Sequence, residues 1–214
     1  MLSDLPFASH FAYSPRGSSE AAVQSRRIRD LLKQNRRVGV PPITAAELLA
    51  RRLRQAVDRG DYGDFFDPAA VLVPAPRSSL LLPGALWPAL ELAAALAAER
   101  LGARVLPCLE RVQAVPKAAF AAPGQRPTAQ EHYETIACTR SVPPPAAILL
   151  VDDIVTKGAT LLASASRLRD AFPEARIAAF TAMRTLGLQP DIEELVAPCI
   201  GTIRWDGHDA DRRP

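Results

Sequence analysis

The apolar run AAILLV, residues 146–151, constrains the fold more than any other stretch, because it has the length and composition of a buried β-strand. It leads through a short turn into a stretch with helical character. The sequence predicts further strands at 70–74, 104–109 and 176–183 and helices at 86–101 and 159–172. Strands that alternate with helices form parallel sheets joined by right-handed crossovers. We therefore expect an α/β fold with a central, mostly parallel sheet flanked by helices.

The N-terminal part has a different pattern, and we expect a helical region at 1–67 ahead of a core at 68–214. Residues 1–17 lack a hydrophobic period and are predicted to be a loop or arm. A strongly basic helix is predicted within 18–37. A capping-box pattern that begins at Thr44 predicts a second helix.

Charge, cysteines and hydropathy exclude several classes of protein. The net charge of +3 over 214 residues suits an anionic ligand but is too small to indicate nucleic acid by itself. Cys108, Cys138 and Cys199 form no CxxC pair, which argues against a zinc finger or a disulfide framework and favours free thiols in a reducing cytosol. The N-terminus has no signal-peptide pattern, and the most apolar stretch, 85–98, is too short to cross a bilayer. We therefore expect a cytoplasmic protein without a membrane partner.

Two adjacent carboxylates, Asp152 and Asp153, follow the AAILLV strand, and the loop TKGAT at 156–160 follows them. In an open parallel sheet, ligands bind beyond the carboxyl ends of the strands. Paired carboxylates repel each other unless they have partners, and sugar hydroxyls or a divalent cation are suitable ones. The loop supplies hydroxyls, a lysine, a glycine and the free N–H groups of a helix start, which together suit a phosphate monoester. The segment therefore predicts a ribose 5-phosphate ligand.

Three alternatives for the acid pair remain. A Walker B element would require a GxxxxGK[ST] loop, and the sequence contains none. The acidic pocket of a receiver domain would not be expected to continue into TKGAT. A solvated strand end without a role is the third alternative.

The segment VDDIVTKGAT, 151–160, resembles the phosphoribosyl-pyrophosphate-binding motif of the type I phosphoribosyltransferases. The resemblance implies that Asp152 and Asp153 contact the ribose 2- and 3-hydroxyls. The loop that would wrap the 5-phosphate consists of Thr156, Lys157, Gly158, Ala159 and Thr160. The implied reaction transfers the phosphoribosyl group to a nitrogenous base or related acceptor and releases pyrophosphate. Magnesium would bridge pyrophosphate and ribose oxygens, and the two aspartates would reach it indirectly, through ribose or water.

The resemblance extends to two further loops. The stretch VLVPAPRSS, 71–79, stands where the family has its pyrophosphate loop, with Arg77 as the candidate cation and Ser78 as a further contact. The alternative is a surface arginine in a proline-rich turn. The stretch 113–131 stands where the family has a flexible catalytic loop, and the alternative is a merely solvated loop. Its candidate contacts are Lys117, Arg126 and His132, and Lys117 would join Arg77 in stabilising the departing pyrophosphate.

Type I folds need a hood over the carboxyl edge of the sheet to hold the acceptor. We expect the N-terminal region, with part of the C-terminal region, to form it. Tyr13 and Arg16, with Arg26, would then lie near the acceptor, and His132 is a further candidate on that side. The alternative is an independent basic surface that never approaches the site.

Within the family, VPAPR followed by VDDIVTKGAT is most similar to the competence-protein-F-like branch. Members of that branch typically carry an N-terminal four-cysteine zinc module, which this sequence lacks. A second hypothesis is a non-catalytic sensor of phosphoribosyl pyrophosphate or nucleotide, or an accessory factor in DNA uptake or nucleic-acid metabolism. Its support is the basic helix within 18–37. Dimers are common in the family, so the resemblance leaves a homodimer open, and the sequence does not indicate the acceptor base.

Overall fold

The computed structural model describes residues 1–116, 126–187 and 191–214. Its helices are α1 (Glu20–Lys33), α2 (Ala45–Asp58), α3 (Pro88–Ala98), α4 (Ala129–Glu134) and α5 (Ala159–Ala171). Its strands are β1 (Asp4–Tyr13), β2 (Arg37–Val38), β3 (Ile43–Thr44), β4 (Val71–Pro74), β5 (Arg104–Val105), β6 (Leu109–Arg111), β7 (Ile136–Cys138), β8 (Ala147–Val155), β9 (Arg176–Thr185), β10 (Val196–Trp205) and β11 (Ala210–Arg213). Among the described residues, none of the helices has the length and apolar character that a membrane span requires.

A seven-stranded sheet in the order β11-β10-β1-β9-β8-β4-β5 occupies the centre of the molecule. The neighbouring pairs from β1 to β5 are parallel, whereas β10 runs antiparallel to both β1 and β11. The carboxyl ends of the five parallel strands therefore meet at one edge. This arrangement confirms the expected α/β class with a mostly parallel sheet flanked by helices.

Both faces of the sheet are buried, as the near-continuous apolar sequence of β8 requires. Ile148 and Leu150 belong to the same cluster as the buried leucines of α5. Leu149 and Val151 point to the other face and belong to the cluster that contains the apolar residues of α2 and α3. The fold thus has three layers, and β8 lies in the middle layer with parallel partners on both sides.

The structure corrects the prediction for residues 1–17, which were expected to form a loop or arm. Asp4–Tyr13 is a strand inside the sheet, between β9 and β10. Small and polar residues hide its strand character, because Ser9 and His10 are fully or almost fully buried among the apolar ones. Burying polar side chains is unfavourable unless they have hydrogen-bond partners. Tyr62 is such a partner, since its hydroxyl lies 2.8 Å from His10 Nδ1. The N-terminal region and the core therefore share one sheet across the expected boundary at residue 67.

Ser19 is the N-cap residue of α1, and the first turn of the helix is tied to the C-terminal part of the chain. The Asp191 carboxylate accepts hydrogen bonds from the backbone N–H groups of Ser18 and Ser19, at 3.0 and 2.7 Å, and from the Ser19 hydroxyl. These donors lower the pKa of Asp191 to about 2. The anchor directs α1 towards the carboxyl edge of the sheet, where its last residue, Lys33, contacts β8.

Candidate functional site

The acid pair lies on β8 itself, because the strand continues to Val155 rather than ending at residue 151. Asp153 is 8% exposed and Asp152 is half-buried. The Asp152 side chain accepts a hydrogen bond of 2.8 Å from the Asp153 backbone N–H. Beside them, Ala75 donates to the Val151 carbonyl at 2.8 Å, so the loop after β4 begins next to the carboxylates.

Burial and charge repulsion both act on this pair. Burial raises the pKa of Asp152, and the adjacent carboxylate of Asp153 raises it further. The free site therefore favours a proton, a cation or a hydroxyl donor near Asp152. A ribose diol supplies two hydroxyl donors, which is the ligand chemistry expected from the sequence.

Lys33 at the end of α1 is the cation that the structure places on this pair. Its ammonium group forms an ion pair with Asp153, 120 residues further along the chain. Burial alone would lower the pKa of Lys33, but the carboxylates of Asp153 and Asp152 outweigh it and raise the pKa. Lys33 thus neutralises part of the charge of the pair and connects the N-terminal helix to the site.

The TKGAT loop turns sharply into α5 at Gly158. This glycine is the N-cap residue of α5 and has a φ of +98°, in the left-handed region that favours glycine. A Cβ atom at this position would lie 2.7 Å from the side chain of Ile203. Gly158 brings no side chain to cap the helix, so the first N–H groups of α5 are suited to an anion.

The C-terminal strands contact the same loop. Arg212 donates to the carbonyl of Thr156 at 2.7 Å and to the carbonyl of Thr185 at 2.6 Å. Lys157 lies 3.6 Å from the Asp209 carboxylate, and its side chain is 66% exposed. Residues 191–214, expected to form part of a hood, thus extend the sheet and support the phosphate-loop candidate from the side.

Arg77 and Ser78 lie in the loop after β4, the strand that pairs with β8 in the sheet. The Arg77 guanidinium donates to the Leu86 carbonyl at 2.9 Å, within its own loop. The Ser78 carbonyl accepts from Val115 at 2.9 Å. The loop is therefore fastened on both sides, and Arg77 would have to change partner to bind a pyrophosphate group.

Two buried side chains, Arg111 and His132, form a bridge between the Arg77 loop and the start of α5, which the sequence did not indicate. Arg111 is 3% exposed, and its guanidinium donates to the Arg77 carbonyl at 2.9 Å and to the Thr135 hydroxyl at 2.6 Å. The guanidinium also contacts the His132 carbonyl at 3.4 Å and His132 Nδ1 at 3.2 Å. His132 Nε2 in turn lies 3.3 Å from the Thr160 hydroxyl. The bridge therefore runs from the Arg77 loop through Arg111 and His132 to the first turn of α5.

Burial sets the ionisation of this bridge. It lowers the pKa of His132 to about 4, with a further contribution from the charge of Arg111. Burial also lowers the pKa of Arg111 to about 10. At neutral pH the bridge therefore consists of a neutral imidazole beside a buried cation. The structure places His132 against the phosphate-loop candidate, on the side away from α1.

The acceptor-side candidates of the N-terminal region lie around α1. The Tyr13 hydroxyl accepts a hydrogen bond of 2.8 Å from Arg29, one helical turn before Lys33. The Tyr13 ring itself is only 8% exposed and packs in the core. Arg26 donates to the carbonyls of Ser14 and Gly17, at 3.2 and 2.8 Å. Arg16 is exposed in the turn between β1 and α1.

Of the two candidate contacts Lys117 and Arg126 in the stretch 113–131, the structure describes only Arg126. Lys117 lies outside the described residues, with the rest of 117–125. Arg126 is exposed next to that gap.

The residues that sequence reasoning missed are Lys33, Arg29 and Arg111, and each acts through a contact distant in sequence. Lys33 was visible only as one of many basic residues of its helix, and Arg111 lies beyond the strand predicted at 104–109.

The fold and the site define an α/β protein with a carboxylate pair and a helix N-terminus at the carboxyl edge of a mostly parallel sheet. No protein-family model matches the chain, and no curated protein sequence matches it.

Three solved structures to which the chain is similar are adenine phosphoribosyltransferases. The enzyme from Leishmania donovani has a TM-score of 0.33 and 11% identity, over 75% of this chain and 81% of that chain. The enzyme from Trypanosoma brucei, in complex with AMP, pyrophosphate and ribose-5-phosphate, has a TM-score of 0.32 and 14% identity, over 74% of this chain and 79% of that chain. The enzyme from Leishmania tarentolae has a TM-score of 0.33 and 12% identity, over 81% of this chain and 90% of that chain.

Proposed function

We propose that this protein is a type I phosphoribosyltransferase, which binds phosphoribosyl pyrophosphate and transfers its phosphoribosyl group to a nitrogenous acceptor. The observation that carries the proposal is the arrangement at the end of β8. A carboxylate pair, one member buried and the other half-buried, is followed by the 156–160 loop, which has a left-handed glycine at an open helix N-terminus. A single ribose 5-phosphate offers its diol to the carboxylate pair and its phosphate to the helix N-terminus.

In this proposal, Asp152 and Asp153 accept hydrogen bonds from the ribose 2- and 3-hydroxyls. Residues 156–160 bind the 5-phosphate through backbone N–H groups and the hydroxyls of Thr156 and Thr160. Lys33 leaves Asp153 when the diol arrives, because the carboxylate then has a new partner. Arg77 and Ser78, in the loop after the neighbouring strand β4, would bind the pyrophosphate.

The reaction would break the bond between the anomeric carbon and the pyrophosphate oxygen and form a bond to the acceptor nitrogen. Positive charge develops on the ribose ring as the pyrophosphate departs. The chain contributes by positioning both reactants and by stabilising the departing anion, with Arg77 and Lys117 as the proposed cations. No covalent enzyme intermediate is needed.

Magnesium suits the carboxylate oxygens of this site, since it prefers oxygen ligands. Within the described ranges, however, no three or more acidic, histidine or cysteine side chains gather to hold a metal ion. We therefore propose that magnesium enters with the pyrophosphate and that Asp152 and Asp153 reach it through ribose hydroxyls or water. When bound, the ion would neutralise charge on the pyrophosphate oxygens.

The nucleic-acid hypothesis receives less support, because several cations of the basic helix have partners within the chain. Lys33 pairs with Asp153, Arg29 with Tyr13 and Asp30, and Arg26 with backbone carbonyls. These contacts favour the hood over an independent basic surface. Membership of the competence-protein-F-like branch stays a proposal that rests on the two sequence motifs.

Release of pyrophosphate from phosphoribosyl pyrophosphate, with magnesium and a panel of purine and pyrimidine bases, tests the enzymatic proposal. We expect one base to stimulate release in the wild type and not in Asp152→Asn/Asp153→Asn. Asp67→Asn is the matched control, because Asp67 pairs with Arg176 at the amino end of β9, away from the site. Binding of phosphoribosyl pyrophosphate without release of pyrophosphate, whichever base is added, would instead identify a sensor.

A further inference from the structure

Two of the three cysteines, which are 30 residues apart in sequence, meet at the base of the ribbon formed by β6 and β7. The sulfur atoms of Cys108 and Cys138 lie 3.9 Å apart. Leu109 pairs with Cys138 in the ribbon, and Thr139 donates to the Cys108 carbonyl at 2.8 Å. The backbone therefore holds the two thiols side by side from both directions.

The two thiols differ in exposure and in acidity. Cys108 is 6% exposed, whereas Cys138 is half-buried. The hydrogen bond between the two thiols lowers the pKa of Cys138, and the cations of Arg140 and Arg167 lower it further, against the opposing effects of burial and Asp170. The same hydrogen bond and burial raise the pKa of Cys108. Cys138 is thus the accessible nucleophile, and Cys108 is the thiol that can complete a second step.

We propose that Cys108 and Cys138 form a redox-modification site, which a small-molecule disulfide such as oxidised glutathione converts into an intramolecular disulfide. The Cys138 thiolate attacks one sulfur of the oxidant and releases one glutathione as a thiol. The Cys108 sulfur then attacks the Cys138 sulfur of the mixed disulfide and releases the second glutathione. The two protein thiols lose two electrons and two protons, and the oxidant gains both.

The geometry permits the second step. A disulfide bond requires the sulfur atoms to approach by a further distance of about 2 Å, which side-chain rotations at two positions can cover. The bond would fasten the ribbon three residues before Arg111, whose guanidinium contacts Arg77 and His132. The site thus lies where oxidation can alter the bridge between the two loops, although the thiol chemistry itself does not depend on the proposed function.

Reaction of the reduced protein with oxidised glutathione, followed by mass spectrometry of the non-reduced digest, tests the proposal. We expect one species that has lost the mass of two hydrogens, with the peptides of Cys108 and Cys138 joined. Cys199→Ser is the matched control and should form the same bond, because Cys199 lies on β10. A disulfide between two protein molecules, or one that includes Cys199, would overturn the proposal.

Two single variants test the order of the steps. Cys108→Ser should stop at a stable mixed disulfide on Cys138, because the second thiol is missing. Cys138→Ser should react at least about tenfold more slowly, because the remaining thiol is buried and less acidic. Hydrogen exchange of the wild type gives an independent readout, in which oxidation should slow exchange of the Thr139 amide. Equal reaction rates of the two variants would overturn the order of the steps. No intramolecular bond in the wild type would show that the contact is packing alone.

Discussion

At the scale of single residues, Asp152 is where ligand chemistry and stability conflict. Burial and Asp153 raise the pKa of Asp152, so the folded protein binds a proton more readily than the unfolded chain does. The contribution of this residue to stability is therefore fully present at low pH and is lost as the pH rises above about 4, the ordinary value for aspartate.

We expect Asp152→Asn to remove the loss of stability that the wild type suffers as the pH rises. The variant should be more stable than the wild type by about 1–3 kcal/mol at pH 8, with little difference at pH 4. Urea unfolding of both proteins at the two pH values measures this, and comparison at equal pH cancels the titration of His10 and His132. Asp67→Asn should show no such gain. A variant that is less stable than the wild type at pH 8 would contradict the assigned cause.

The second residue-scale prediction concerns the backbone of the phosphate-loop candidate. Gly158 and Gly60 have similar positive φ angles, +98° and +86°, but only Gly158 has Ile203 against its missing Cβ. Each glycine-to-alanine variant should lose about 1 kcal/mol from the left-handed backbone, and Gly158→Ala should lose more because of the overlap.

Calorimetry with ribose 5-phosphate separates the ligand effect from stability. Gly158→Ala should bind at least about tenfold more weakly than the wild type, a difference of about 1.4 kcal/mol. Gly60→Ala should bind like the wild type. Unchanged affinity in a folded Gly158→Ala protein would mean that the turn does not contact phosphate.

At the scale of elements, the bridge of Arg111 and His132 ties β6, α4 and α5 together. Arg111→Met would leave the Arg77 carbonyl, the Thr135 hydroxyl and His132 Nδ1 without their donor. We expect a loss of about 2–4 kcal/mol in the free energy of unfolding. Arg126→Met is the control, because it makes the same substitution at an exposed arginine.

An NMR titration of His132 tests the same bridge without unfolding the protein. Burial holds its pKa at about 4, and the Arg111 charge contributes to that value. The pKa should rise in Arg111→Met but stay below the ordinary value of about 6.5, because burial remains. An unchanged pKa would show that the guanidinium does not act on the imidazole.

The predictability of elements follows from where their partners lie. The strand AAILLV and the capping box at Thr44 carry local signals, and the structure has β8 and α2 at those positions. The signal for β1 is not local, because Ser9 and His10 become acceptable in a buried strand only when Tyr62 and Arg184 reach them. The ion pair of Lys33 and Asp153 is equally invisible, since it joins two segments that only the folded sheet brings together.

At the scale of the whole molecule, the N-terminal region is part of the sheet as well as of the site. Residues 68–214 alone would lack β1, so β9 and β10 would each lose a neighbour and β10–β11 would be detached from the parallel strands. We expect this fragment to show no cooperative unfolding transition by circular dichroism, unlike the full chain. A fragment that melts cooperatively would establish the core as an independent domain.

The central proposal is that the end of β8 binds a phosphorylated ribose, and calorimetric titration of phosphoribosyl pyrophosphate with magnesium tests it most directly. Wild-type protein and the control Asp67→Asn should bind with equal affinity. Asp152→Asn/Asp153→Asn should lose at least about 1.4 kcal/mol of binding free energy, a tenfold loss of affinity, while it remains folded. Equal affinity of the double variant and the wild type would contradict the assignment of the site.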